Sequence, residues 1–80
     1  MNVTLEISYY PLEKNAHEAI SNFIQLLQAN DQLHIQVQTM STLIYGDYDV
    51  ILAMLTQNMK EMMAKYPSVF VLKLSNACPI

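Results

Sequence analysis

The groups able to do chemistry in this 80-residue chain gather in two short segments. Residues 7–12 read ISYYPL, with Ser8, Tyr9 and Tyr10 in succession before Pro11. Residues 39–50 read TMSTLIYGDYDV, with the hydroxyls of Thr39, Ser41 and Thr42, then Tyr45, Gly46 and Asp47. Glu6 stands just before the first segment and Tyr48 inside the second. Carboxylates and tyrosine faces attract a cation, and hydroxyls both donate and accept hydrogen bonds. The rest of the chain argues against catalysis. His17 and His34 are far apart with no nucleophile partner, and the single cysteine, Cys78, cannot form a disulfide within the chain. No Cys/His cluster has zinc spacing, so no catalytic or metal-binding residue and no cofactor is expected.

Composition narrows the partners. Hydrophobic residues make up 52% of the chain and charged residues 14%, and the net charge is −3. The four basic residues are all lysines, so there is no clustered Lys/Arg field of the kind phosphate neutralisation needs, and nucleic acid is not an expected partner. A cationic small molecule suits this balance better. No run of apolar residues reaches membrane-spanning length, and the start MNVTLEIS has no basic, then apolar, leader pattern. With one lone cysteine, these features predict a cytoplasmic protein. Eighty residues predict one domain, 1–80, with a marginal core. The low charge then argues for apolar surface covered by another subunit: a homo-oligomer, either a dimer or a tetramer built as a dimer of dimers.

The elements that must position these residues follow from periodicity. Val3, Leu5, Ile7 and Tyr9 alternate with Thr4, Glu6, Ser8 and Tyr10, giving a half-buried strand that Pro11 ends. Asn15 and Glu18 have capping-box spacing, and Ala16, Ala19, Ile20, Phe23, Ile24 and Leu27 form the apolar stripe of a helix to about Ala29. Leu33, Ile35 and Val37 alternate in a second strand, and 41–45 makes a third, joined to it by a tight hairpin. The third strand's facing stays open, because Thr42/Ile44 and Leu43/Tyr45 are both acceptable core pairs. Gly46 is the only glycine and Asp47 a helix cap. Tyr48, Ile51, Leu52, Leu55, Met59, Met62 and Met63 then fall at helical spacing, to Lys65, with Pro67 as the breaker. Phe70, Leu72 and Leu74 share one face of a last strand, 69–75. The order β-α-β-β-α-β predicts an α+β, ferredoxin-like sandwich. Its four-stranded antiparallel sheet has spatial order 4-1-3-2, with both helices on one face. The other face is expected to be open, carrying Thr4, Glu6, Ser8, Tyr10, His34, Gln36, Gln38, Val69, Val71 and Lys73.

From Val3 to about Ser75 the chain resembles the family of small thiamine-binding proteins of bacteria and archaea. The segments that carry the likeness are Ile7-Ser8-Tyr9-Tyr10-Pro11-Leu12 and, more diagnostic, Thr42-Leu43-Ile44-Tyr45-Gly46-Asp47. The resemblance implies a ferredoxin-like subunit, sheet-mediated association, and non-enzymatic binding of thiamine or its hydroxymethylpyrimidine half. Glu6, Tyr10, Tyr45 and Asp47 would then face the cation or the amino group, and Ser8, Thr39, Ser41 and Thr42 the ring nitrogens. The expected site lies near the turn after strand one and the corner from strand three into helix two. Each residue also has a plainer role: Glu6 can pair with Lys73, Ser8 can fill a sheet face, the threonines and Ser41 can serve strand and turn, and Gly46-Asp47 can be only turn and cap. Tyr9 and Tyr48 read as packing residues. The alternative function is a structural or regulatory oligomerisation module without this ligand.

Overall fold

The computed structural model describes residues 1–77. Cys78, read above as a tail residue, lies outside them. The element order is β1 (Asn2–Pro11), α1 (Ala16–Gln28), β2 (His34–Val37), β3 (Thr42–Asp47), α2 (Tyr48–Lys65) and β4 (Ser68–Ser75). The sheet order is β2-β3-β1-β4, and every neighbouring pair is antiparallel. This is the ferredoxin-like α+β arrangement.

Register explains which side chains go inward. Opposed residues in an antiparallel pair share a face. Leu5 stands opposite Ile44, Ile44 opposite Ile35, and Ile7 opposite Thr42, so the open question about β3 resolves to Thr42/Ile44 inward. Leu43 and Tyr45 accordingly join Glu6 and Thr4 on the other face. The core is Val3, Leu5 and Ile7 from β1, Ala19, Phe23 and Leu27 from α1, Ile51, Leu55 and Met62 from α2, with Leu33 and Ile44. Tyr9 stacks on Phe70 at 4.5 Å, and Phe23 meets both rings at 5.1 and 5.3 Å. Offset and edge contacts of this kind add to the simple burial of the rings.

One local expectation needs correction. The capping box at Asn15 does not form, since the Asn15 side chain makes no cap bond. Its backbone sits at φ −92°, ψ 49°, away from the extended region that aims an N-cap side chain at the first free N–H groups. The Asn15 N–H instead donates to Glu13 Oε1 at 3.3 Å. On β4 the expected shared face is present. Phe70, Leu72 and Leu74 do share the helix side, but only Phe70 packs on the core; Leu72 and Leu74 stay exposed. β4 is an edge strand, and the helices cover the sheet chiefly over β1 and β3.

Asp47 behaves as read. At φ −68°, ψ 135° its carboxylate accepts the N–H of Asp49 at 3.1 Å and of Val50 at 3.3 Å, capping α2. No helix among the described residues is long and apolar enough to cross a membrane.

Candidate functional site

Unequal ladders create a concavity beside the expected site residues. The β1–β4 ladder runs without a break to Pro11 opposite Ser68. The β1–β3 ladder stops at Ile7 opposite Thr42. Beyond that point the β2–β3 hairpin has turned back, with the Gln38 N–H donating to the Ser41 carbonyl at 2.8 Å around Thr39-Met40. Neither turn residue takes a positive φ, in keeping with the missing Asn-Gly signal. The result is a notch in the sheet beside α1. Its cleft of about 110 Å³ is lined by Ile7 and Tyr9 of β1, Ile20, Phe23 and Ile24 of α1, and residues Val37 to Thr42 of the hairpin. Thr39, Ser41 and Thr42 are the hydroxyl residues that the hairpin brings to this lining.

Around the hairpin tip the polar side chains are already organised. The Ser41 hydroxyl lies 3.0 Å from Glu6 Oε2 and 3.4 Å from Gln38 Oε1. It carries one proton, and the shorter bond to the carboxylate takes it. Lys73 Nζ stands 3.8 Å from Glu6 Oε1, in a pair too exposed to add much stability. The Ser8 hydroxyl donates to the Met40 carbonyl at 3.4 Å. Tyr9 has its hydroxyl tied elsewhere. Ser68 donates to the Tyr66 carbonyl at 2.9 Å, so in the 3.0 Å contact between Tyr9 and Ser68 it is the tyrosine that donates.

The expected site residues therefore divide into groups. Glu6, Ser8, Thr39, Ser41 and Thr42 come together around the hairpin tip, with Thr42 buried and the others more accessible. Tyr10 is exposed farther along β1, opposite Val69. Tyr45 lies opposite Thr4 and His34, and Asp47 opposite Asn2. The turn after β1 and the β3–α2 corner, expected to form one site, are at opposite ends of β1, about 30 Å apart for an extended strand. Antiparallel pairing of β1 with β3 forces that separation. Asp47 is also occupied. Besides capping α2, it accepts from the Met1 ammonium at 3.3 Å. The Val50 N–H first, and then the amino-terminal group, hold its carboxyl below the ordinary value of 3.8.

Tyr9, Phe23, Ile20 and Ile24 line the cleft and were assigned only to packing. Their periodicity says that they face inward. It does not say where a neighbouring hairpin ends and leaves them uncovered. Among the described residues no three His, Cys, Asp or Glu side chains gather into a metal-binding group.

Comparisons with known proteins add a family. Among solved structures, a provisionally assigned thiamine biosynthesis/salvage protein of Thermotoga maritima superposes with a TM-score of 0.86 at 18% identity, over 94% of this chain and 83% of that one. A hypothetical protein of Methanocaldococcus jannascii gives 0.82 at 24% identity, over 99% and 84%. A domain of unknown function from Bacillus cereus gives 0.78 at 19%, over 92% and 74%. At such identities these likenesses establish the fold alone. No curated protein matches. The family model described as thiamine-binding protein matches residues 5–75, taking in the cleft, the hairpin and the Gly46-Asp47 corner. The chain belongs to the thiamine-binding protein family.

Proposed function

We propose that this protein binds thiamine or a hydroxymethylpyrimidine compound without transforming it, as a carrier or sensor in vitamin uptake or salvage. The observation that carries this reading is the notch at the hairpin tip, in a chain whose family is thiamine-binding. The cleft, about 110 Å³ and open on one side, suits the entry of one flat ring. The aminopyrimidine ring enters against Tyr9 and Phe23, and the hydroxyls of Thr39 and Ser41 meet its ring nitrogens and amino group. The thiazolium ring stays outside, on the side of the turn where Ser41 reaches the Glu6 carboxylate. Tyr45 and Asp47, at the far end of the sheet, are structural in this reading. The protein acts as a homo-oligomer in the cytoplasm.

Titration of hydroxymethylpyrimidine and of thiamine, followed by calorimetry and thermal shift, tests the reading. Ligand at a hundred times its Kd stabilises the folded state by about 2.7 kcal/mol. Both compounds are expected to raise the melting temperature, and the pyrimidine alone is expected to retain most of the affinity. Absence of any shift with either compound at millimolar concentration removes the proposal. The oligomerisation-module reading then gains, supported by the exposed apolar residues of β4.

A further inference from the structure

Some of the large apolar side chains that the fold leaves exposed gather around one opening. Ile20 of α1 is 37% exposed, Val37 of β2 43% and Met40 at the hairpin tip 84%, and each of them lines the cleft. Ile7 and Phe23 beneath them are buried, so apolar surface runs from the floor of the cleft out onto its rim. The rim residues differ in what they can do. Ile20 sits within a helix and Val37 within a strand, and both are β-branched and stiff. Met40 belongs to neither element. Its side chain is unbranched, with freely turning bonds and a polarizable thioether that makes favourable contacts with aromatic rings. Its backbone, by contrast, is held: the Gln38 N–H bonds the Ser41 carbonyl around it, and the Ser8 hydroxyl donates to its own carbonyl. Tight turns favour Gly, Asn, Asp, Ser and Pro, each for a local reason that methionine lacks. At this exposure Met40 adds almost nothing to the core either.

We propose that Met40 is the movable cover of the cleft: its side chain folds over a flat ring lying against Tyr9 and Phe23, and oxidation of its thioether by a peroxide lifts the cover. This rests on the proposed binding of a pyrimidine ring at the same site and adds a control on it. Covering about half of a methionine side chain is worth roughly 4- to 12-fold in affinity. The gain comes from the excess of closed over open cover, so the same factor measures how far the bound ring shields the sulfur from solvent. In the oxidation, the O–O bond of hydrogen peroxide breaks and an S–O bond forms. The sulfur is oxidised, the peroxide is reduced, and its second oxygen leaves as water with the proton of the first. The sulfoxide is polar and calls for a hydrogen-bond donor, which neither a ring face nor the apolar rim offers. The oxidised side chain therefore stays in water, and the affinity that the cover supplies is lost.

The test treats the chain, with Cys78→Ser to remove its thiol, briefly with hydrogen peroxide, with and without saturating hydroxymethylpyrimidine. Peptide mass spectrometry then reads each methionine. Bound ligand is expected to slow Met40 oxidation by the factor just given. Met63, 54% exposed on α2 and outside the cleft lining, is the control and is expected not to respond. In calorimetry the Met40 sulfoxide is expected to bind more weakly than the reduced chain by the same factor. Met40→Ala is expected to lose as much, while the melting temperature of the ligand-free chain stays within about 4 °C of the parent, as at an exposed site. Met40→Leu restores an apolar cover and is expected to recover most of the affinity lost by Met40→Ala, and peroxide should no longer change it. Binding that leaves Met40 as fast to oxidise as in the free chain overturns the inference, as does equal protection of Met63 or a Met40→Ala chain that binds like the parent. In each of these cases the proposed function stands without the cover. A reduced parent chain that binds neither hydroxymethylpyrimidine nor thiamine overturns both.

Discussion

Gly46→Ala is the sharpest test of how the β3–α2 corner works. Gly46 has φ +158°, and a Cβ built there would lie 2.5 Å from Leu33 Cδ2. Carbon atoms prefer about 3.5–4.0 Å, so the overlap exceeds 1 Å or so. Leu33 belongs to the core and has little room to yield. Forcing a methyl into a packed core costs about 1–3 kcal/mol. Holding a side-chain-bearing residue in a sparsely populated backbone region adds about 1–3 kcal/mol. The expected loss is thus about 2–6 kcal/mol, out of a total stability of roughly 4–12 kcal/mol for a chain of this size. The melting temperature should fall by about 8–48 °C. Urea unfolding followed by circular dichroism, with an unchanged denaturant slope, measures the loss directly. Leu33→Ala separates the two causes. If Leu33 is the obstacle, the double variant should be more stable than the sum of the single losses predicts, by about 1–3 kcal/mol. A Gly46→Ala loss within about 0.5 kcal/mol, as at an ordinary surface site, refutes the reasoning, and strict additivity with Leu33→Ala refutes the role given to Leu33. Hydroxymethylpyrimidine affinity of the folded fraction should be unchanged, because Gly46 lies opposite Val3, far from the cleft.

Other outcomes are expected elsewhere in the molecule. Asn58 is 8% exposed and its Nδ2 has no partner among the described residues, so Asn58→Leu removes an unpaired donor and should raise stability by as much as about 1–3 kcal/mol in denaturant titration. Asp47 has a lowered pKa, so its contribution is complete above the unfolded-state value and is lost as pH falls through the lower folded-state value. Asp47→Asn should therefore show a smaller drop in melting temperature than the parent when the pH is taken from neutral to about 3, below the ordinary aspartate value. Ser41→Ala removes a cleft hydroxyl and should weaken hydroxymethylpyrimidine binding by roughly 2- to 12-fold in calorimetry, the equivalent of about 0.5–1.5 kcal/mol. Glu6→Gln should weaken thiamine more than hydroxymethylpyrimidine, since only thiamine carries the cation; equal losses for both ligands would detach Glu6 from the thiazolium ring.

Most of the fold was legible because its signals are local. The alternation of Val3, Leu5 and Ile7, the helical stripes and the single glycine each specify an element without reference to its neighbours. β3 was ambiguous because Thr42, Leu43, Ile44 and Tyr45 offer two acceptable inner faces, and only its register against Leu5 and Ile7 chooses between them. Burial on β4 was not legible for a related reason. Period two shows that Leu72 and Leu74 share a face, but not that the helices leave that face uncovered. The candidate site was half legible. Residues near one another in sequence, Thr39 to Thr42, do meet Glu6 and Ser8. Asp47 and Tyr45 are near them in sequence too, yet the extended β3 carries them away to the other end of the sheet.

The unequal ladders make the length of one hairpin a control on the cleft. Each residue pair added to β2 and β3 would extend the hairpin by about 3.3 Å along β1 and fill the notch from its open end. Additions of two residues per strand keep every side chain on its present face, whereas one residue in a single strand reverses the alternation beyond it. Lengthening a surface turn costs little in chain entropy, and the core under β1 and β3 is untouched by it. Relatives with this architecture can therefore enlarge, narrow or erase the cleft through hairpin length alone, and the span from Val37 to Thr42 is where its size is set.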